Sequence, residues 1–380
     1  RDEYKDAGVK LLTELGKEYV EEIIPIFEDA LTKDITTLPN GKKATSPLEN
    51  GLIIQENIIV LYGSLAQHLD SDDHRIASIV ARLLDALTSP SENVHKAVSK
   101  IIAPLVPKFS DQVGQFISNL FVQLFDPMPP AFVRKGASWG LAGIIYGYGI
   151  RSILEFDIMR VLIDAAESKS NSIGRASVAY CIMTFSSVLG KLFEPYVIEL
   201  LPYLLKNLGD QDIDVRKQYI LAADTIMKHT TSYGLHKMIP VAIGNLNEYS
   251  WRIKKGSVEL LGSMAYLNPV QLSSSLSTIV PEIVGVLGDS HKEVRKSGDE
   301  ALEKFGEVIR NPEVQNIVPV LLQAIGEPTK YTESALDALI KTQFVHYIDG
   351  PSLALIIHII HRGMSCLLYT SDAADELDGV

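Results

Sequence analysis

The chain has 380 residues, 46% hydrophobic and 22% charged, with 47 acidic against 35 basic residues and a formal net charge of −12. This apolar content excludes disorder over the whole length, and the acidic balance excludes a nucleic-acid binder that works by bulk positive charge, so any RNA contact has to come from local basic clusters. Two cysteines, Cys181 and Cys366, and the lack of an Asn-x-Ser/Thr acceptor exclude a disulfide framework and favour a reducing, cytoplasmic setting.

In chain order, Arg1-Asp2-Glu3-Tyr4-Lys5 is charged and runs directly into a helical pattern, unlike a signal peptide. This helix is expected to be the second of a repeat whose first helix is missing. Residues 36–50, with Pro39-Asn40-Gly41 and Ser46-Pro47, read as a polar insertion. A unit then returns: an apolar helix, a short acidic turn, and a second helix opened by Val-Arg or its equivalent. The clearest copies run from Pro202 through Gly209-Asp210 to Val215-Arg216, and from Pro281 through Gly288-Asp289 to Val294-Arg295. Weaker copies place His95, Arg134, Arg175, Lys254 and Lys330 at the same point, so the full set recurs at intervals of 35 to 41 residues. Prolines at 195, 202, 240, 281 and 319 are expected near the starts of first helices. A period near forty with two helices per unit predicts an all-α, HEAT-repeat α-solenoid of about nine helical-hairpin repeats, continuous over 1–364. The apolar stretches 136–150 and 353–360 fall short of the roughly 20 residues that span a bilayer, which predicts buried helices and no membrane. After Met364 the helical pattern gives way to a string, Cys366 to Glu376, that resembles a translated sequencing-library adapter; 365–380 is therefore set apart as a non-native, adapter-derived tail.

The repeated polar positions have a structural reading and a functional one. Asp210 and Arg216 are six apart, as are Asp289 and Arg295; the acid can cap the following helix while the Arg reaches an acid of the adjacent repeat, giving a ladder along the stack. Arg252, Lys254 and Lys255 follow Trp251 with no acid between them, and Arg134-Lys135, Arg216-Lys217 and Arg295-Lys296 stand at equivalent places. Stacked repeats would align these into a basic, partner-binding stripe, extended by Lys292 and Lys304. Solvated charge is the bland alternative.

Chemistry is not visible in the sequence. Gly136, Gly140, Gly143, Gly147 and Gly149 lack the strand-turn-helix context of a dinucleotide loop, and glycines four apart on a helix predict close approach of a neighbouring helix and of Trp139. His346, His358 and His361 have no carboxylate or thiolate to complete a metal set. Cys181 has no basic neighbour and reads as a small core residue. No Walker loop, paired carboxylates or Ser/His/Asp arrangement is present, so no catalytic role, cofactor or metal is expected.

Several strings go beyond repeat consensus: Arg134-Lys135-Gly136-Ala137-Ser138-Trp139-Gly140, Lys191-Leu192-Phe193-Glu194-Pro195-Tyr196, Gly256-Ser257-Val258-Glu259-Leu260-Leu261-Gly262, Ile309-Arg310-Asn311-Pro312-Glu313 and Phe344-Val345-His346-Tyr347-Ile348-Asp349-Gly350-Pro351. These resemble the central portion of the large HEAT-repeat translational activators of the general amino-acid control pathway (the general control non-derepressible family), in fungal-like wording. That portion is itself similar to the HEAT region of the third translation elongation factor. The resemblance implies a non-catalytic scaffold that binds the ribosome and a non-membrane ATP-binding-cassette protein. It also implies activation of the starvation-responsive initiation-factor-two-alpha kinase through parts of the full-length protein other than this one. By analogy and local charge, Trp251, Arg252, Lys254 and Lys255 are the expected contact cluster. A HEAT-type nuclear-transport receptor or a phosphatase scaffold is the alternative.

Overall fold

The structure, a computed structural model, describes residues 2–32, 47–267 and 269–375. Among them every regular element is helical, as the forty-residue period predicts. The chain packs as two compact units, Arg1–Phe193 and Glu194–Val380.

The first unit holds α1 (Asp2–Thr32), α2 (Pro47–Ala66), α3 (Arg75–Ala86), α4 (Glu92–Leu105), α5 (Val113–Phe125), α6 (Ala131–Tyr148), the single turn α7 (Ser152–Glu155), α8 (Ile158–Glu167) and α9 (Ser172–Leu189). Helices α3/α4, α5/α6 and α8/α9 pair as hairpins, and the second helices α2, α4, α6 and α9 stack in succession. Helix α1 packs on α2 with Gly8 against Leu61, Gly16 against Leu65 and the Leu12 carbonyl 2.9 Å from the His68 ring, the parallel register that α6 also has on α4 and that the expected second-helix place requires. The expected insertion at 36–50 lies outside the described residues as far as 46, and its last four residues open α2.

The second unit holds α10 (Glu194–Leu208), α11 (Ile213–His229), α12 (Ser232–Gly244), α13 (Trp251–Leu267), α14 (Pro269–Val286), α15 (Lys292–Glu307), α16 (Pro312–Gly326), α17 (Pro328–Lys341) and α18 (Gly350–Asp375). Helix α16 shows why these segments are helical. Asn311 caps it by accepting the Val314 N–H at 2.9 Å, Pro312 follows where a missing N–H is harmless, and Val314, Val318, Leu321, Ala324 and Ile325 recur on one buried face. Each Val, Leu or Ile among them contributes about 1.5–3 kcal/mol when fully buried. Pro195 sits in a first turn as expected, whereas Pro202, Pro240, Pro281 and Pro319 lie inside α10, α12, α14 and α16. Helix α18 runs through Asp375, past the point at 364 where the sequence pattern gives way. It packs on α14, α16 and α17, and Arg362 donates to the Ala324 and Ile325 carbonyls at the end of α16, at 3.3 Å each.

At five of the recurring positions the basic side chain has one job. His95 contacts the Ser89 carbonyl at 2.7 Å, Arg134 donates to Pro129 O at 2.6 Å, Arg175 to Ser168 O at 2.5 Å, Arg216 to the Asp210 and Gln211 carbonyls at 2.5 and 2.9 Å, and Arg295 to those of Asp289 and Ser290 at 2.6 and 3.0 Å. Each therefore clamps the turn before its own helix, where the preceding helix presents the negative end of its dipole. This corrects the expected ladder, in which the arginines would reach acids of the next repeat. The turn acids do not cap either. Asp210 accepts the Asp212 N–H and Asp289 the His291 N–H, both at 2.8 Å, which shapes the turn so that Asp212 and His291 become the caps.

The glycines of α6 do what their spacing predicts. A methyl group at Gly136 would strike the Leu87 carbonyl, at Gly143 it would stand 2.5 Å from Ser99 O, and at Gly147 it would strike the Ala103 carbonyl. Trp139 lies beside α4 as well, with the Lys96 Nζ 5.7 Å from its ring centroid. Cys181 is fully buried, and burial pushes its thiol well above the usual range. The segment 172–192 is long and apolar enough to cross a membrane by length and composition, and in this fold 61% of that window is buried. No group of three metal-ligating side chains occurs among the described residues: His346 pairs with Glu313 at 2.6 Å, and His358 is half-buried on α18.

Candidate partner-binding groove

The cations singled out in the sequence have separate fates. Lys254, in the first turn of α13, reaches the next repeat and pairs with Asp289 at 2.7 Å, with 22% and 11% of the two side chains exposed. The Asp289 carboxyl is held below the ordinary carboxylate range, chiefly by that Lys254 hydrogen bond and then by the His291 N–H. Lys254 is thus a link between repeats, and the cross-repeat ladder expected of the arginines is made here by a lysine. Lys255 stands 3.5 Å from Glu293 of α15 and 3.7 Å from Glu259, one turn along its own helix.

Trp251 has two partners. Its ring stacks on His291, with centroids 3.9 Å apart and planes 6° from parallel, and the Arg252 guanidinium lies 4.6 Å from its centroid. The His291 ring is fixed in turn because its Nδ1 accepts the Glu293 N–H at 3.2 Å. Arg252 has no carboxylate partner among the described residues, so its charge is held in place by an aromatic face rather than neutralised.

Between α11 and α13 these groups open onto a cavity of about 330 Å³, lined by Arg216, Ile220, Trp251, Arg252, Lys255 and Glu259. Three cations, one aromatic ring and two apolar side chains, Leu208 and Ile220, share the lining with a single carboxyl. Burial, only partly offset by Lys255, pushes that Glu259 carboxyl above its ordinary value, which weakens the one negative charge in the groove. Such a lining suits an anionic group carried on an apolar or planar body.

The structure thus brings Arg216, Trp251, Arg252 and Lys255 together and turns Lys254 away. Lys217 and Lys296 are exposed and stand near acids of their own helices, Asp214 at 3.9 Å and Glu300 at 3.5 Å. Arg295 is a turn clamp. In the first unit Arg134 is also a clamp, and Lys135 lies 5.4 Å from the Tyr180 ring centroid. Lys292 is exposed at the start of α15, and Lys304 is half-buried. Sequence reasoning missed Ile220, Glu259 and His291. The four-residue step from Lys255 to Glu259 was the signal for one of them; nothing in the sequence placed the other two against α13.

Comparison with known proteins agrees with this architecture. Residues 134–302 match the family described as EF3 N-terminal HEAT repeat. The chain is 57% identical over 364 residues, 96% of its length, to the eIF-2-alpha kinase activator GCN1 of Saccharomyces cerevisiae, and 42% identical over 357 residues to the stalled ribosome sensor GCN1 of Homo sapiens. It is 26% identical over 239 residues to elongation factor 3 of Gonapodya prolifera. The chain spans 13% of the length of each of the two GCN1 relatives. It belongs, as a segment of the HEAT-repeat region, to the GCN1 family.

Proposed function

We propose that this segment is a non-catalytic, cytoplasmic docking surface in translational control, which binds the ribosome and an ATP-binding-cassette partner. The starvation-responsive kinase would be reached through other parts of the longer protein. Two observations support this. Two relatives that align over 94% or more of the chain are named for activation of the eIF-2-alpha kinase and for sensing stalled ribosomes. In addition, the α11/α13 groove presents Arg252 on an aromatic support, with Arg216 and Lys255 beside it. That groove carries the reading, because a cation without a carboxylate partner loses nothing inside the fold when it meets a phosphate or carboxylate outside it. A stacked helical array serves such a role because it offers large contact area without local rearrangement.

The test is co-sedimentation with ribosomes across a salt series, with and without the cassette ATPase. Pelleting is expected to fall steeply with salt, and charge reversal by Arg252→Glu with Lys255→Glu is expected to weaken it about tenfold or more. Lys254 is left intact because its loss would disturb the α15 turn. Pelleting of wild type and variant alike would remove the groove from the ribosomal contact. Capture of the ATPase without ribosomes would make the segment a partner platform alone.

A further inference from the structure

A second groove, of about 860 Å³, lies between α15 and α16 and reaches the start of α17. Its floor is apolar, formed by Leu302, Val318, Pro319 and Leu322; Leu302 and Val318 are buried. Its rim is acidic. Asp299, Glu303 and Glu307 stand four residues apart, so they occupy one face of α15, and Glu327 adds a fourth carboxyl from the turn before α17. No Lys or Arg lines the groove, and no ion pair joins Asp299, Glu303 or Glu307 to a cation among the described residues. Glu327 has Lys330 at 3.7 Å.

Like charges at this helical spacing oppose one another and lower the stability of the isolated helix. Their effect is visible in Asp299, whose carboxyl is pushed above its ordinary value by burial and then by Glu303, Glu300 and Glu327. A cation placed between them would relieve that repulsion, and the apolar floor provides a seat for one bulky aliphatic or aromatic side chain. The same rim repels phosphate, which sets this groove apart from the one between α11 and α13.

We propose that the α15/α16 groove binds a basic segment of a partner protein, with one bulky apolar residue seated on Leu302, Val318 and Leu322 and with Lys or Arg on either side facing Asp299, Glu303 and Glu307. The proposal does not depend on the ribosomal reading, since it concerns another groove of opposite charge.

The experiment is fluorescence anisotropy on the full chain, with a labelled peptide carrying a central Leu flanked by two Arg on each side. The peptide is expected to bind, and its counterpart with Gly in place of Leu to bind about tenfold more weakly or worse. Glu303→Gln combined with Glu307→Gln is expected to weaken the Leu peptide about tenfold, while Arg252→Glu leaves it unchanged. Both Gln replacements are isosteric at exposed positions, and an unchanged thermal melt checks that the fold is kept. No binding, equal binding by the Leu and Gly peptides, equal binding by wild type and the double variant, or displacement of the peptide by a single-stranded RNA would each overturn the proposal.

Discussion

Helices α6 and α13 begin alike and end differently. Two residues after the recurring cation each has a glycine, Gly136 or Gly256, set against the end of a preceding first helix. An added methyl would strike the Leu87 carbonyl in one case and stand 2.7 Å from Leu208 Cδ1 in the other. From there α6 continues with Gly140, Gly143 and Gly147, whereas α13 has Leu260, Ser263 and Leu267 at the matching places. With no side chains between them, α6 lies on the backbone of α4. Helix α13 meets α11 less closely, and the space left over is the cationic groove. A single repeat grammar can therefore make a closed seam or leave a binding groove.

The comparison breaks most directly at the seam. Gly143→Ala with Gly147→Ala would drive two methyls into main-chain carbonyls, which cannot swing aside as side-chain ends do. Overpacking costs about 1–3 kcal/mol per site, so thermal denaturation of the double variant is expected to fall by roughly 5–15 °C. Gly262→Ala in α13, where the nearest atoms are 3.4 Å away, is the counterpart; there the gain in helix propensity is expected to leave stability unchanged or raised by about 0.5–1 kcal/mol. Gly262 faces Ala301 of α15, so equal losses at both sites would mean that the close backbone approach of α6 to α4 is not what makes a methyl costly there.

Next in size are the turn clamps, which the α6 repeat makes with Arg134 and the α13 repeat replaces with the Lys254–Asp289 pair. Arg295→Ala removes two charge-assisted hydrogen bonds to the Asp289 and Ser290 carbonyls, and is expected to lower chemical-denaturation stability by about 1.5–3 kcal/mol. Arg295→Lys keeps the charge without the planar fork and should recover less than half of that loss. These clamps also show what the sequence could and could not tell. The positions 95, 134, 175, 216 and 295 were legible from the period alone, but the direction of the side chains was not. Helical side chains lean toward the N-terminus, so an arginine in the first turn can reach back to its own turn, whereas Lys254 goes sideways to Asp289. The groove was legible only as a list of cations, because the spacing between α11 and α13 depends on residues far apart in the chain.

A smaller effect is expected where the two kinds of charge pair are compared. Lys254 and Asp289 are mostly shielded from water, while Lys217 and Asp214, 3.9 Å apart, leave 67% and 86% of their side chains exposed. A double-mutant cycle with Lys254→Met and Asp289→Asn should give a coupling of about 1 kcal/mol, and the corresponding cycle at 217 and 214 should give about zero. The sign with pH follows from the depressed Asp289 carboxyl. Its contribution is complete above the ordinary carboxylate value of about 4 and is lost as pH falls through the lower folded value. The stability gap between wild type and Lys254→Met should therefore be constant from pH 7 to 5 and shrink below pH 4. A gap that widened in acid would mean that Lys254 acts on some other group.

Only a small loss of stability is expected at Arg252, and this is what separates the groove from the seam. Its guanidinium rests on Trp251 with no carboxylate to neutralise it, and a cation on an aromatic face near the surface contributes about 0.5–1 kcal/mol. Arg252→Ala should therefore lower stability by no more than that, far less than a methyl on α6. Trp251→Ala should be worse, because it also strips the face on which His291, the cap of α15, is stacked. If Arg252→Ala proved as damaging as Arg295→Ala, Arg252 would be holding repeats together, and the α11/α13 groove would lose its claim to be a surface kept for a partner.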